Sequence, residues 1–121
     1  MKAIDISSKF SKFKTTWHPH IIAEVDDMNV IIAKFKGDFD WHKHDNEDEL
    51  FQVIKGTIKM HFRDRVETVK EGELIVVPKG IEHKPATLNN EVAHVLLFEK
   101  KNLAHTGETI TNKTITDYPK I

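Results

Sequence analysis

The chain has 121 residues, 39% of them hydrophobic and 31% charged, with 18 basic against 19 acidic side chains and a formal net charge of −1. A chain of this size forms one domain around one core, and so even a balance leaves no basic stripe to release counterions from a phosphate backbone, so nucleic acid is not an expected partner. Cysteine is absent, so no disulfide forms and any metal must be held by nitrogen and oxygen.

The first twenty residues carry Lys2, Asp5, Lys9, Lys12 and Lys14 around no apolar core, unlike a signal peptide, and no run approaches the roughly 18 apolar residues of a membrane span. A cytoplasmic protein without a membrane partner is expected. Near the start, Asp5 or Ser7 can cap a short helix in which Ile6, Phe10 and Phe13 recur at helical spacing, with lysines opposite. Next comes "WHPHIIAE", with His18, His20 and Glu24; Pro19 disturbs the strand and no second half accompanies the pair, so no metal is expected there. From residue 20 onward the runs are short, β-branched and aromatic: "HIIAEV", "NVIIAKFK", "ELFQVIKG", "TIKMHFRD", "VETVKE", "ELIVVP" and "VAHVLLFEK". Turn signals separate them at Asp26-Asp27, Gly37-Asp38, Gly56, Arg63-Asp64, Gly72, Pro78-Lys79-Gly80 and Asn89-Asn90. Short strands with no helix between them predict an all-β antiparallel sandwich or barrel. One domain over 1–121 is expected: a helical segment over 1–19, the barrel over 20–100, and a polar, threonine-rich tail over 101–121.

The chemistry lies in "WHKHDNEDELFQVIKG", residues 41–56. Alternate side chains of an extended segment share a face, so His42 and His44 point one way and Trp41 and Lys43 the other. In the following strand Glu49, Phe51 and Val53 share a face. If Glu49 faces the histidines across the polar turn 45–48, two imidazoles and a carboxylate converge, a donor set suited to Fe, Mn, Co, Ni, Cu or Zn. On their own the two histidines also read as solvated loop residues, and Asp48 competes with Glu49 for the carboxylate role. A fourth candidate is His83 in "GELIVVPKGIEHKPAT", residues 72–87, where Pro78 and Gly80 make a tight turn and His83 opens the next strand.

These residues resemble the two motifs of the cupin superfamily. Gly37, His42, His44, Glu49 and Gly56 match the first, and Gly72, Pro78, Gly80 and His83 match the second. The resemblance covers residues 28 to 100. It implies a small antiparallel jelly-roll barrel with His42, His44, Glu49 and His83 on one divalent transition metal (Fe, Mn, Ni, Cu or Zn). Two departures touch only pocket detail: four rather than five residues separate Gly37 from His42, and Thr87 stands where the family often has asparagine. The whole chain also resembles the small single-domain cupins labelled as similar to mannose-6-phosphate isomerase, a label that follows fold more than activity.

Strand parity gives a mainly apolar pocket lining of Phe51, Val53, Ile58, Met60 and Phe62, with His94 as a polar group in the cavity or a core histidine. His61 is expected on the surface, His105 away from the site, and Trp17 and Trp41 in packing. Three imidazoles and one carboxylate leave up to two positions of an octahedral ion open to a small molecule. Two functions follow: a metalloenzyme acting on a small oxygen-bearing molecule by oxygenation, isomerisation or lysis, or a non-catalytic metal-dependent binding or sensing module. Edge strands need cover, so pairing of residues 20–36 between two chains, burying Trp17, predicts a homodimer.

Overall fold

The structure, a computed structural model, describes residues 1–101, 111, 113–114 and 117–121. One helix, α1 (Ile6–Phe10), precedes eight strands: β1 (His20–Val25), β2 (Met28–Lys36), β3 (Glu49–Lys55), β4 (Thr57–Phe62), β5 (Val66–Lys70), β6 (Leu74–Val77), β7 (His83–Thr87) and β8 (Val92–Lys100). They form one sheet in the order β1-β2-β8-β3-β6 and a second in the order β5-β4-β7. Every pairing within them is antiparallel. This is an antiparallel barrel of the kind the short runs predict, with a short N-terminal helix, and it is the small jelly roll that the motif resemblance implies.

Period-two alternation decides what the barrel encloses. On β3 the buried side chains are Glu49, Phe51 and Val53, on β4 Ile58, Met60 and Phe62, and on β8 Ala93, Val95, Leu97 and Glu99. Together with Ile31, Ala33 and Phe35 of β2 the apolar members make the main core, each fully buried aliphatic or aromatic side chain contributing about 1.5–3 kcal/mol. Ile32 points outward, where Phe10 and Phe13 cover it. A five-residue helix has little stability of its own; here the Asp5 carboxylate accepts from Ser8 N at 3.2 Å and Phe10 is buried.

The turns use backbone that glycine tolerates best. Gly56, between β3 and β4, has φ +87, and a Cβ there would stand 3.2 Å from Ala93 Cα and Val92 O. The edge of β1 is partly covered within the chain: Ile21 N donates to Pro119 O at 2.8 Å and Ile121 N to Ile21 O at 3.0 Å. The other edge strand of that sheet is β6, whose outer edge is unpaired among the described residues and where Leu74 and Val76 are exposed. No helix among the described residues is long and apolar enough to cross a membrane.

Candidate metal centre

Segment 41–44 lies outside the regular strands, yet the alternation persists: His42 and His44 are buried and Lys43 is exposed. Backbone bonds pin it to the second motif. His42 N donates to His83 O at 3.0 Å, His83 N returns a bond to His42 O at 2.9 Å, and Gly80 N donates to His44 O at 2.8 Å. The Asp48 carboxylate is engaged in the turn, accepting from Lys79 N at 2.9 Å, which leaves Glu49 as the carboxylate that faces inward. Thr87 has a structural part: its hydroxyl accepts from Gly37 N at 2.7 Å, and its own N–H donates to Gly37 O at 2.9 Å. The two motifs are thereby joined at a second place.

The four candidate ligands His42, His44, Glu49 and His83 meet as one cluster, with one donor atom of each within 4.8 Å of the others, and all four are buried. Glu49 Oε1 lies 3.3 Å from His44 Nε2 and 3.6 Å from His83 Nε2. His42 Nδ1 faces Asp40 O at 2.8 Å and His83 Nδ1 faces Ile81 O at 2.9 Å. A carbonyl only accepts, so each Nδ1 carries a proton and each ring turns its Nε2 into the cluster. Burial first, then the neighbouring His83, lowers the pKa of His42 to about 4, keeping it neutral. Burial would raise Glu49, but a hydrogen bond with Glu99 and the facing imidazoles outweigh it and hold the carboxylate well below its usual range. Glu49 Oε1 and His83 Nε2 have no hydrogen-bond partner although both are buried. Lone pairs and a buried negative charge facing one another are costly unless a cation sits between them, so the donor set fits a divalent transition metal.

Glu99 was not among the expected site residues. It opposes Asn29 on β2 and lies in the inward row beside Glu49. Burial, then the charge of Glu49, pushes its pKa well above the usual carboxylate range. Glu99 therefore holds the proton of the pair and donates to Glu49. Its inward position follows from the parity of Ala93, Val95 and Leu97.

A cavity of about 20 Å³, traced by the centre of a water molecule, opens beside the cluster. Trp17 and Pro19 from the segment before β1, Ala33 and Phe35 of β2, Phe39, Phe51, Pro85 and Leu97 form its walls around His42 and Glu49. Of the expected lining, Phe51 borders this cavity, while Val53, Ile58, Met60 and Phe62 belong to the enclosed core. His94 is placed differently: it falls on the outward parity of β8, and its ring stacks on Phe10 at 4.3 Å. His20 stacks on Phe13 at 3.8 Å, and Glu24 pairs with Lys120 and Lys101; this trio forms no metal cluster among the described residues. His61 is half-buried, on the opposite parity to Met60 and Phe62, and His105 lies outside the described residues. Trp41 packs against Arg63, whose guanidinium carbon is 3.8 Å from the ring centre.

Residues 28–99 match the family model described as "Cupin domain". The chain belongs to the cupin family. Among known structures, this cupin is similar to a cupin-2 domain containing protein from Shewanella frigidimarina, with 40% identity, TM-score 0.78 and coverage of 80% of this chain and 93% of that one. Protein NMB1881 from Neisseria meningitidis follows at 29% identity and TM-score 0.74, covering 82% and 99%. The uncharacterized protein YdbB of Bacillus subtilis is 41% identical over 64 residues, which are 52% of this cupin and 57% of YdbB. A 3-hydroxyanthranilate 3,4-dioxygenase from Caenorhabditis elegans is 34% identical over 68 residues, 52% of this cupin and 24% of the dioxygenase. The matched part is thus little more than half of the one relative and a quarter of the other.

Proposed function

We propose that this cupin is a metal-dependent enzyme acting on a small oxygen-bearing molecule, with oxygenation as its reaction type. The observation that carries the reading is the make-up of the cavity wall: among the described residues its titratable groups are His42 and Glu49, and both belong to the candidate metal cluster. Isomerisation and lysis need a positioned base to take a substrate proton, and the wall has none to spare among the described residues. A bound divalent ion would supply Lewis acidity toward a substrate oxygen and, if redox-active, electrons for dioxygen. The chain's own part is to present the Nε2 atoms of His42 and His83, to set the Glu49 charge against them, and to keep water out with aromatic walls. Similarity to part of the Caenorhabditis dioxygenase supports the same reaction class. The isomerase-like label has fold resemblance behind it and, among the described residues, no phosphate-binding group on the cavity wall.

A binding or sensing module without turnover is the second reading, favoured by the same lack of a base. Anaerobically purified protein loaded in turn with Fe(II), Mn(II), Ni(II), Cu(II) and Zn(II) would be screened for oxygen uptake with small diketones, thiols and phenols. Uptake that needs both metal and substrate, vanishes in His83→Ala and persists in His18→Ala is expected. Silence in every metal form would move the assignment to the binding module. The reading also includes a homodimer, supported by the β6 edge that is unpaired among the described residues.

A further inference from the structure

Trp17 stands immediately ahead of β1 in a conformation that a large side chain rarely adopts, with φ +58. Strain of this kind persists only where the surroundings over-determine it, and here they do. Its backbone N–H donates to Lys34 O at 2.8 Å and its indole Nε1–H to Lys36 O at 2.8 Å. Its ring stacks on Phe35 at 4.5 Å and on Phe39 at 4.7 Å. The result of all this fixation is one flat apolar wall of the cavity that reaches His42 and Glu49.

We propose that Trp17 is the specificity-determining residue of the site, and that it restricts the occupant to a compact, uncharged, largely apolar molecule whose oxygen atoms are gathered at one end. This rests on the metal reading above and narrows its substrate class. Among the described residues the ionisable side chains on the wall are His42 and Glu49, both engaged once an ion is held, so against these walls the occupant's polar atoms are satisfied at the ion. A hydroxyl elsewhere on the molecule would be stranded against Trp17, Phe39 or Pro85, which lowers affinity about ten- to hundredfold for each such group. The nearby cations are directed elsewhere: Lys34 Nζ donates to Phe13 O, Lys84 pairs with Asp38, and Arg63 pairs with Glu82. Phosphorylated sugars and polyols are therefore excluded on two separate grounds, charge and unpaired hydroxyls.

The chain has two tryptophans, so the indole N–H region of a nitrogen–proton correlation spectrum holds two signals, and Trp41→Phe identifies that of Trp17. Zinc-loaded protein, with zinc counted by elemental analysis, would be titrated with maltol, a flat neutral hydroxyketone, and with mannose 6-phosphate. Maltol is expected to shift the Trp17 signal and leave that of Trp41 in place, while mannose 6-phosphate moves neither. Trp17→Ala should weaken maltol about tenfold at unchanged zinc content, and Trp17→Phe, which keeps a flat ring, should recover most of the loss. Zinc retained with no response at Trp17, or mannose 6-phosphate bound as tightly as maltol, overturns the proposal and leaves the metal reading standing. Failure to retain zinc overturns the metal reading and this proposal with it. The titration of the parent protein decides the matter even if Trp17→Ala does not fold.

Discussion

Glu99 and Glu49 share one hydrogen bond at the base of the cluster, and the proton in it sits on Glu99. Glutamine in place of Glu99 keeps a donor aimed at Glu49, so Glu99→Gln should hold metal affinity within a few-fold, whereas Glu99→Leu should lower it about ten- to hundredfold; a competitive chelator titration separates the two outcomes. His42 supplies a pH dependence in the metal-free protein. The unfolded imidazole takes its proton near its ordinary value of about 6.5 and the folded one only near pH 4, so between those values the unfolded chain binds the extra proton. Stability is then highest above about pH 6.5, falls by about 3 kcal/mol on acidification to pH 4, and loses no more from this group below that. Urea midpoints measured in EDTA should show that loss in the parent and a smaller one in His42→Asn. At this scale the sequence is legible where a residue's role is local. Alternation puts His42 and His44 on one face, the resemblance to the cupin motifs adds Glu49 and His83, and the four meet in one cluster. Glu99 is harder, because a glutamate followed by Lys100 and Lys101 reads as a solvated strand end. Trp17 is harder still, since its partners Phe35 and Phe39 are reached only after β1 and β2 have paired.

β3, β4 and β8 are legible because each carries one buried face in strict alternation, whereas β1, which buries its first two residues in succession, is legible from its β-branched run between turn signals, and "HIIAEV" coincides with it residue for residue. Alternation cannot say which parity faces inward when both are apolar, and this is why His94 was open to either side: Leu96 and Phe98 share its outward face, while Val95 and Leu97 face the core. Segment 41–44 departs from a regular strand because its one regular partner is the His42–His83 bridge. Two turn glycines give a paired test of backbone against packing. Gly72 has φ +85 with nothing within 4 Å of a Cβ, whereas Gly56 has φ +87 and a Cβ there meets the backbone of β8 at 3.2 Å. Gly72→Ala should cost about 1 kcal/mol from strained backbone alone. Gly56→Ala should cost about 1–3 kcal/mol more, from displacement of packed neighbours, and thermal melts of the two variants read the difference.

For the whole molecule, the covered edge of β1 and the bare edge of β6 bear on assembly. Trp17 is half-buried against Phe35 and Phe39, and Ile22 and Ile32 pack with Phe10 and Phe13, so much of the apolar surface expected at a dimer interface is covered within one chain. Leu74 and Val76 on β6 stay exposed at 54% and 48%, and an edge of that kind invites pairing. Light scattering is expected to give twice the 14.0 kDa chain mass, falling to one chain in Leu74→Lys/Val76→Lys; a single-chain mass for the parent in dilute solution removes the homodimer. The strand order carries a further consequence. β8 lies between β2 and β3, its residues 92–100 pairing with 28–36 from roughly half a chain away. The central seam of the larger sheet thus cannot close until β8, the last strand in chain order among the described residues, has left the ribosome. Until then β2 and β3 each expose an unpaired, apolar-rich flank, and loop closure over so long a span is slow, in the millisecond-to-second range of all-β domains. A chain stalled before residue 92 would have its candidate metal ligands in hand and no sheet to hold them, which makes the nascent chain, rather than the finished barrel, the form most exposed to aggregation.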